Sequence, residues 1–356
     1  MSFRTVIRVC LCAVLAGRLG RAHGASCGDA VPPIDSGCGA GGAYAVAVDT
    51  LVNCRGTRYP TYVCRPEGAR GPLPLVFFLH GLGTNSPAAY DHITRHLAAR
   101  GCCVVMPHYR ISSFPAQRRT YRGIYRRMLC AAAELELTVD TTRIGFVGHS
   151  FGGAAIPALA LRLLTQRGWG ARAAFMYIMA PHFVFGITEK ELREFPSHVK
   201  MLVQVYEEDD CNDHKIASHL FETIGVPDSA KGYMMLVSDS SAAVGCRLCA
   251  DHSTPCGPGD ELGEIDGLDY YGVYRPLDAL AACTFSGKGG CRDAALKTED
   301  ERYFMGVWQD GRPVRPAFVS DRPEVRAPRE QFFFHWEHPW NPFHPTRRRR
   351  RFLMRW

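Results

Sequence analysis

Residues 144–153 read IGFVGHSFGG, and an apolar, alanine-rich run follows them. This order predicts a buried strand, a tight turn and a helix, with Ser150 on the turn. The flanking glycines allow the backbone to crowd at such a turn. The pattern GxSxG also occurs by chance, so the surrounding sequence has to support the interpretation.

The surrounding sequence alternates β-rich runs with helical runs between about residues 40 and 300. Apolar positions at helical spacing predict amphipathic helices over residues 121–129 and 216–224. We expect an α/β fold with a mostly parallel central sheet of about eight strands and helices on both faces. The predicted strands are Ala43–Val48, Thr61–Arg65, Leu73–Leu79, Cys102–Pro107, Arg143–Gly148, Ala173–Met179, Met201–Tyr206 and Tyr233–Ser238.

A second motif, VFFLHGLG, occupies residues 76–83. A buried strand that runs into such a turn can direct a backbone N–H towards a developing oxyanion. The residue after the nucleophile supplies the other N–H group in this arrangement. We therefore expect the N–H groups of Leu82 and Phe151 to form an oxyanion hole beside Ser150.

A nucleophilic serine needs a histidine to accept its proton and a carboxylate to orient that histidine. In a strand-turn-helix enzyme of this type the chain order is serine, acid, histidine. Four acids, residues 207–210, follow one predicted strand, and His252 follows the next one. We favour Asp210 as the acid, with Asp209 as the alternative, and His252 as the base.

The other acids and histidines near these positions have simpler interpretations. Glu207, Glu208 and Asp213 are expected to be solvated surface charges, and His214 and His219 to lie on the helix after the acids. His149 is expected to pack beneath the nucleophile. A competing interpretation of His252 is a structural zinc site, because Cys246, Cys249, His252 and Cys256 have suitable ligand types. Their spacing is not a standard one.

The net charge of +7 arises at the ends of the chain. Four arginines lie in the first 24 residues and six in the last ten, and subtracting these ten from +7 leaves about −3 for the middle. A nucleic-acid-binding core needs a clustered cationic face, so the composition argues against that class. Residues 331–356 are basic and aromatic, and they predict a disordered tail that could contact an anionic surface.

The start of the chain predicts secretion. Residues 1–24 have a basic start, a short apolar run and a small-residue cleavage site, as in a signal peptide. Fifteen cysteines fit an oxidising compartment, and the close pairs Cys27/Cys38, Cys54/Cys64 and Cys283/Cys291 suggest local disulfides. The expected organisation is a signal peptide (1–24), a Cys/Gly-rich segment (25–43), a catalytic domain (44–300), an extension (301–330) and the tail (331–356).

Over about residues 44–285 the sequence resembles the α/β-hydrolase superfamily. The resemblance rests on VFFLHGLGTN, HLAARGCCVVMPHYR, GHSFGG and the ordered acid and histidine. Within the superfamily it is similar to the branch of dienelactone hydrolases, cutinase-like polyester hydrolases and platelet-activating-factor acetylhydrolases. The resemblance implies a serine hydrolase that acts on carboxylic esters without a cofactor, with a triad of Ser150, Asp210 or Asp209, and His252.

The substrate class is less directly encoded. Residues 181–186, PHFVFG, follow the sixth predicted strand, and with Tyr90 and Trp169 they supply apolar groups for a lipid or other hydrophobic acyl ester. Core packing explains the same residues equally well. Two other functions remain open: a catalytically silent binding module on the same fold, and an acyltransferase in which an alcohol replaces water.

Overall fold

The structure, a computed structural model, describes residues 27–51, 59–83, 87–111, 117–260, 263–286, 295–296, 304–323 and 327–344. The predicted signal peptide and the arginine-rich residues 345–356 lie outside these ranges, and their predicted roles stay predictions. Within the described ranges no helix has the length and apolar character needed to cross a membrane.

The described residues form eleven strands, nine of which belong to one central sheet. The strands are β1 (Val46–Leu51), β2 (Thr61–Pro66), β3 (Leu73–Leu79), β4 (Cys103–Pro107), β5 (Val139–His149), β6 (Ala173–Met179), β7 (Val199–Tyr206), β8 (Lys231–Leu236), β9 (Asp239–Ser241), β10 (Cys246–Leu248) and β11 (Phe318–Ser320). The sheet order is β1-β2-β4-β3-β5-β6-β7-β8-β11. Neighbours from β4 to β8 in this order are parallel, whereas β1, β2 and β11 pair antiparallel.

Helices connect the parallel strands. They are α1 (Asp91–Ala99), α2 (Gln117–Glu134), α3 (Phe151–Arg167), α4 (Glu189–Arg193), α5 (His214–Thr223) and α6 (Arg275–Phe285). A π-helical stretch, Leu268–Tyr274, leads into α6, and short 3-10 turns occupy Pro87–Tyr90, Asp228–Ala230, Pro258–Asp260 and Arg329–Gln331. The two predicted amphipathic helices correspond to α2 and α5.

Both faces of the sheet are buried because side chains alternate along each strand. In β3, Phe77 packs into the core formed with α2, α3 and α5. The next residue, Phe78, packs into the opposite core, formed with α1 and α6. This arrangement confirms the predicted α/β class with helices on both faces.

The sequence located all eight predicted strands to within a few residues but missed β9, β10 and β11. These three strands have only three residues each, too few for an alternating pattern to be visible. β11 pairs with β8, so the sheet continues beyond residue 300, where we expected the catalytic domain to end.

The expectation of a disordered tail is wrong for residues 331–344. Phe332, Phe334 and Trp336 are 4%, 1% and 8% exposed, and they pack against the core. Residues 327–344, here called the C-terminal segment, run beside the loop after β7. Aromatic residues in a charged context suggested a solvated tail, but their rings are buried against the folded domain.

Two of the three expected local disulfides are also corrected, whereas Cys283/Cys291 stays a prediction because Cys291 lies outside the described residues. Cys27 bonds to Cys246, which is 219 residues away in sequence. Cys64 is a buried free thiol, which contradicts a Cys54/Cys64 bridge. Cys102 and Cys103 are both buried free thiols, and burial raises the pKa of each to about 12.

Candidate active site

Ser150 lies between the end of β5 and the start of α3, at the turn that the sequence predicts. Its backbone has φ 55° and ψ −119°, in the half of conformational space that side chains other than glycine rarely adopt. The strain turns the side chain out of the sheet edge, and the residue is 6% exposed. The backbone N–H of Ser150 donates to Met179 O at 2.9 Å, which fixes the turn against β6.

The glycines of the turn are required by close backbone contacts. A Cβ on Gly152 would lie 2.0 Å from Leu79 O, and one on Gly148 would lie 2.9 Å from the Gly152 carbonyl carbon. These neighbours are backbone atoms and cannot move aside as a flexible side chain could. Steric contact with backbone atoms therefore requires glycine at both positions of the motif.

Ser150, His252 and Asp209 form a continuous chain of hydrogen-bonding groups. His252 Nε2 lies 3.0 Å from Ser150 Oγ, and His252 Nδ1 lies 2.9 Å from Asp209 Oδ2. A carboxylate only accepts hydrogen bonds, so Nδ1 carries the proton and Nε2 is left to accept from the serine hydroxyl. This arrangement suits general-base activation of Ser150.

The acid that contacts His252 is Asp209, which corrects the preference for Asp210. Asp209 is fully buried, and its other oxygen, Oδ1, accepts from the N–H groups of Cys211 at 2.7 Å and Asn212 at 2.9 Å. Asp210 is exposed. Adjacent residues of this turn point in different directions, and the sequence alone does not reveal which one faces the histidine.

The predicted oxyanion donors lie beside the same turn. A Cβ on Gly81 would be 3.5 Å from Ser150 Cβ, so the turn containing Leu82 passes alongside the nucleophile. Phe151 is the first residue of α3, where backbone N–H groups point out of the helix end. Tyr90 ties the two turns together, since its oxygen accepts from Gly81 N–H at 3.2 Å and lies 2.8 Å from His149 Nδ1.

A family model described as alpha/beta hydrolase fold matches residues 76–233 of the chain. The match runs from β3 to the third residue of β8, and it includes Ser150 and Asp209. The chain has the α/β-hydrolase fold. The match points to hydrolase activity, commonly of the esterase or lipase kind. No curated protein matches this α/β-hydrolase.

The remaining histidines of the hydrolase near Ser150 are buried. His149 packs beside His252, with ring centroids 4.6 Å apart, and its pKa is well below the usual value, first because of burial and then because of His252. Burial also lowers the pKa of His80 and His182 to about 3. His214 is the first residue of α5 and its Nε2 contacts Tyr206 O at 2.8 Å. These four rings are therefore neutral at pH 7.

The zinc interpretation of the cysteine-rich loop does not fit this geometry. Cys246 is bonded to Cys27, and both ring nitrogens of His252 face the triad partners. Within the described residues no cluster of three metal-binding side chains converges. The disulfide instead connects the N-terminal segment of the hydrolase to β10, just before the histidine loop.

Sequence analysis missed Asn212, which lies three residues after Asp209. Its Nδ2 donates to Ala180 O at 2.9 Å and lies 3.4 Å from Ser150 Oγ. The side chain is 3% exposed, and its Oδ1 is enclosed without a hydrogen-bond partner in the described part of the chain. No local pattern identifies this asparagine, because only the fold brings it to the serine.

The C-terminal segment contacts residues 207–213, the loop after β7 that carries Asp209, here called the acid loop. Gln331 Nε2 donates to Asp209 O at 2.8 Å, and Phe334 N–H donates to Cys211 O at 2.8 Å. Trp336 N–H donates to Asp213 Oδ2 at 2.7 Å. Asp213 is 5% exposed, so it is not the solvated surface charge that we expected. The loop carrying the acid is thus held by a stretch more than 100 residues later in the sequence.

The apolar residues expected at the mouth have different locations. Tyr90 is the buried tether between the two turns, and Trp169 stacks on Phe77 in the core with ring centroids 6.1 Å apart. The loop after β6 does reach the nucleophile, since His182 N–H donates to Ser150 O at 3.1 Å. Phe183 follows, buried against Phe334.

Proposed function

We propose that the chain is a serine esterase or lipase-like hydrolase that cleaves carboxylic esters through an acyl-enzyme on Ser150. The observation that carries this proposal is the chain of contacts from Ser150 Oγ through His252 to the buried Asp209, at 3.0 and 2.9 Å. A binding module would not need these three groups in this geometry. The family match supports a hydrolase.

In the first half of the reaction, Ser150 Oγ attacks the ester carbonyl carbon while His252 Nε2 accepts the hydroxyl proton. The tetrahedral intermediate collapses, the alcohol leaves with that proton, and the acyl group stays on Ser150. In the second half, water attacks the acyl-enzyme and gives a proton to His252, which returns it to Ser150 as the acid leaves. Asp209 stabilises the imidazolium in both halves.

We assign the backbone N–H groups of Leu82 and Phe151 as the donors to the developing oxyanion. Their support is the proximity of the Gly81 turn to Ser150 and the position of Phe151 at the start of α3. Asn212 also positions Ser150, because its side-chain amide contacts both Ser150 Oγ and the Ala180 carbonyl oxygen.

The apolar loop after β6 supports a hydrophobic acyl group as the substrate. Phe183, Val184 and Phe185 are all less than 5% exposed, and the loop they form begins beside Ser150. This preference predicts that kcat/KM rises with acyl chain length from acetate upwards.

Secretion is part of the proposal. The Cys27–Cys246 disulfide supports an oxidising compartment, in which such bonds persist. Expression in a eukaryotic host followed by N-terminal sequencing of the medium tests this point. Material that keeps Met1 and remains inside the cells would reject it.

The decisive experiment is labelling of the purified protein with a fluorophosphonate, followed by hydrolysis rates on p-nitrophenyl esters of increasing length. We expect labelling and turnover in the wild type and neither in Ser150→Ala, with the same melting temperature in both. A folded wild-type protein that is not labelled would reject the mechanism. Product analysis with an added alcohol separates hydrolysis from acyl transfer.

A further inference from the structure

Helix α2 is strongly basic. It carries five arginines, at positions 118, 119, 122, 126 and 127, and its only acid is its last residue, Glu134. Like charges three or four residues apart on one helix repel each other. A helix of this composition is more stable when an anion is bound near it.

Arg127 is the exceptional member of this group, because it is 6% exposed whereas Arg126 is exposed. Its Nε is enclosed and has no hydrogen-bond partner, and no carboxylate among the described residues pairs with it. Burial lowers the pKa of its guanidinium. The ring of Tyr59, 5.6 Å away, offsets only part of the cost of burying a cation.

A second unpartnered polar group lies beside Arg127. His108 is 4% exposed, and its ring packs edge-on against Tyr59 at 5.5 Å. Its Nδ1 is enclosed and has no hydrogen-bond partner among the residues that the structure describes. Burial, then the charges of Arg110 and Arg127, lowers its pKa. A neutral imidazole can place its single proton on Nδ1 and donate it to an anion.

A further cation faces the same ring, since the Arg110 guanidinium lies 5.9 Å from the Tyr59 centroid. We call Arg127, His108, Tyr59 and Arg110 the Arg127 cluster. It holds two cations and one enclosed imidazole nitrogen, and none of its members pairs with a described carboxylate. This is the donor set of an oxyanion site.

An opening leads to the guanidinium at Gly123, one helical turn before Arg127. Gly123 is half-exposed, and a Cβ placed on it would lie 3.5 Å from Arg127 Nη1, with no other atom of the described residues within 4 Å outside its own helix backbone. Glycine is unfavourable in a helix interior, and at this position it leaves Arg127 Nη1 without a side chain over it.

The cluster lies next to the proposed oxyanion hole. The His108 ring stacks on His80 with centroids 5.2 Å apart, and His80 directly precedes Gly81 and Leu82. An anion held by Arg127 would therefore lie on the same side of the site as the turn that passes Ser150. A substrate reacting at Ser150 could place a charged group there.

We propose that the Arg127 cluster binds a phosphate or carboxylate group of the ester substrate, between Arg127, the Nδ1–H of His108 and the opening at Gly123. The substrate part of this statement rests on the proposed esterase function. The anion site itself does not, so the two are tested separately.

The first test measures binding of inorganic phosphate to Ser150→Ala by calorimetry at pH 7 and constant ionic strength. Arg127→Met is compared with Arg126→Met, which removes the same charge from the exposed neighbour. We expect Arg127→Met to weaken phosphate binding at least about tenfold, and Arg126→Met to change it less than about twofold. Equal binding in all three proteins, or none in any, would overturn the proposal.

A second variant guards against misfolding of Arg127→Met. Gly123→Leu keeps every charge but places a side chain over the guanidinium, and it should also abolish phosphate binding. Arg127→Met should keep or raise the melting temperature, because it removes an unpaired buried cation. Unchanged phosphate binding in folded Gly123→Leu would reject the site.

The last test identifies the source of the anion. We compare kcat/KM for the p-nitrophenyl monoester of succinate and for p-nitrophenyl butyrate, which have equal carbon counts but differ in charge. The succinate-to-butyrate ratio should fall about tenfold or more in Arg127→Met and not in Arg126→Met. An unchanged ratio with Arg127-dependent phosphate binding would assign the site to a free anion and reject the substrate part. No turnover of either ester, with such binding intact, would reject the esterase function alone.

Discussion

The turn that carries Ser150 and the C-terminal segment behind Asp209 both shape the site, but by different means. The first works through its own backbone: positive φ at Ser150 and glycines that contact Leu79 O and each other. The second works through distant contacts from Gln331, Phe334 and Trp336. The conformation of the Ser150 turn is therefore a local property of ten residues, whereas the position of Asp209 depends on the whole fold.

The largest expected effect comes from replacing Asp209, the acid that contacts His252. Asp209→Asn should lower kcat by about 10⁴, because the amide no longer stabilises the imidazolium and favours the wrong tautomer of His252. Asp210→Asn, one residue later and exposed, should stay within about threefold of the wild type. Kinetics on p-nitrophenyl butyrate measures both, and the reverse ranking would restore Asp210 as the acid.

The next effect concerns pH and the buried histidines near the nucleophile. His80 and His182 have a folded pKa of about 3 against about 6.5 when unfolded. Between these two pH values the unfolded chain binds more protons than the folded protein does. The contribution of each buried ring to the free energy of unfolding is therefore complete above pH 6.5 and is lost as the pH falls. Each ring should cost about 2 kcal/mol between pH 7 and pH 5.

Urea unfolding at several pH values measures this loss. His182→Phe should flatten the pH dependence by the share of one histidine, since phenylalanine cannot titrate. A slope that does not change in this variant would mean that His182 is already protonated in the folded protein.

A smaller effect tests the C-terminal segment. Phe334→Ala should lower the free energy of unfolding by about 3 kcal/mol, because the ring is 1% exposed and large buried side chains leave a cavity when truncated. It should also lower kcat, because the ring anchors the backbone of residue 334, whose N–H donates to Cys211 O and whose carbonyl accepts from Asp213 N–H. The half-buried neighbour Phe333 is the matched control, and Phe333→Ala should cost less.

If Phe334→Ala unfolds more easily but its folded fraction has normal kcat, the segment stabilises the protein without positioning the acid. The two regions would then be independent, contrary to our comparison.

The smallest expected effect comes from an exposed ion pair on the loop that carries Asp209. Glu208 and Arg247 form an ion pair on the surface of the acid loop, and both are exposed. Exposed pairs contribute about 0–1 kcal/mol, so Glu208→Gln should change stability by less than about 1 kcal/mol and leave kcat within twofold. Denaturant titration and kinetics measure both, and a larger loss of kcat would show that the loop depends on this charge.

The strands and the nucleophile were predictable because each follows a local rule. Fully buried strands such as β3 and β6 are apolar nearly throughout, and the serine turn needs its glycines at fixed offsets. His252 was predictable from chain order. The strands and the serine turn depend on neighbours within a few residues, so the sequence displays them directly.

Other features depend on distant partners. Asp209 and Asp210 lie on the same turn, and only the direction of their side chains decides which one contacts His252. Asn212 reaches Ser150 only after β6 and β7 have paired. Cys27 bonds across 219 residues instead of to a nearby cysteine. The C-terminal aromatics looked solvated because the surface they cover belongs to another part of the chain.

The position of the C-terminal segment also affects how the protein is made. Ribosomes synthesise Ser150 and His252 well before residues 327–344, and chains begin to fold from the N-terminus as they emerge. Until that segment arrives, the carbonyl groups of Asp209 and Cys211 lack their donors from Gln331 and Phe334. A nascent chain would therefore contain Ser150 before the loop that carries Asp209 is fixed in place, and hydrolase activity should appear only late in translation.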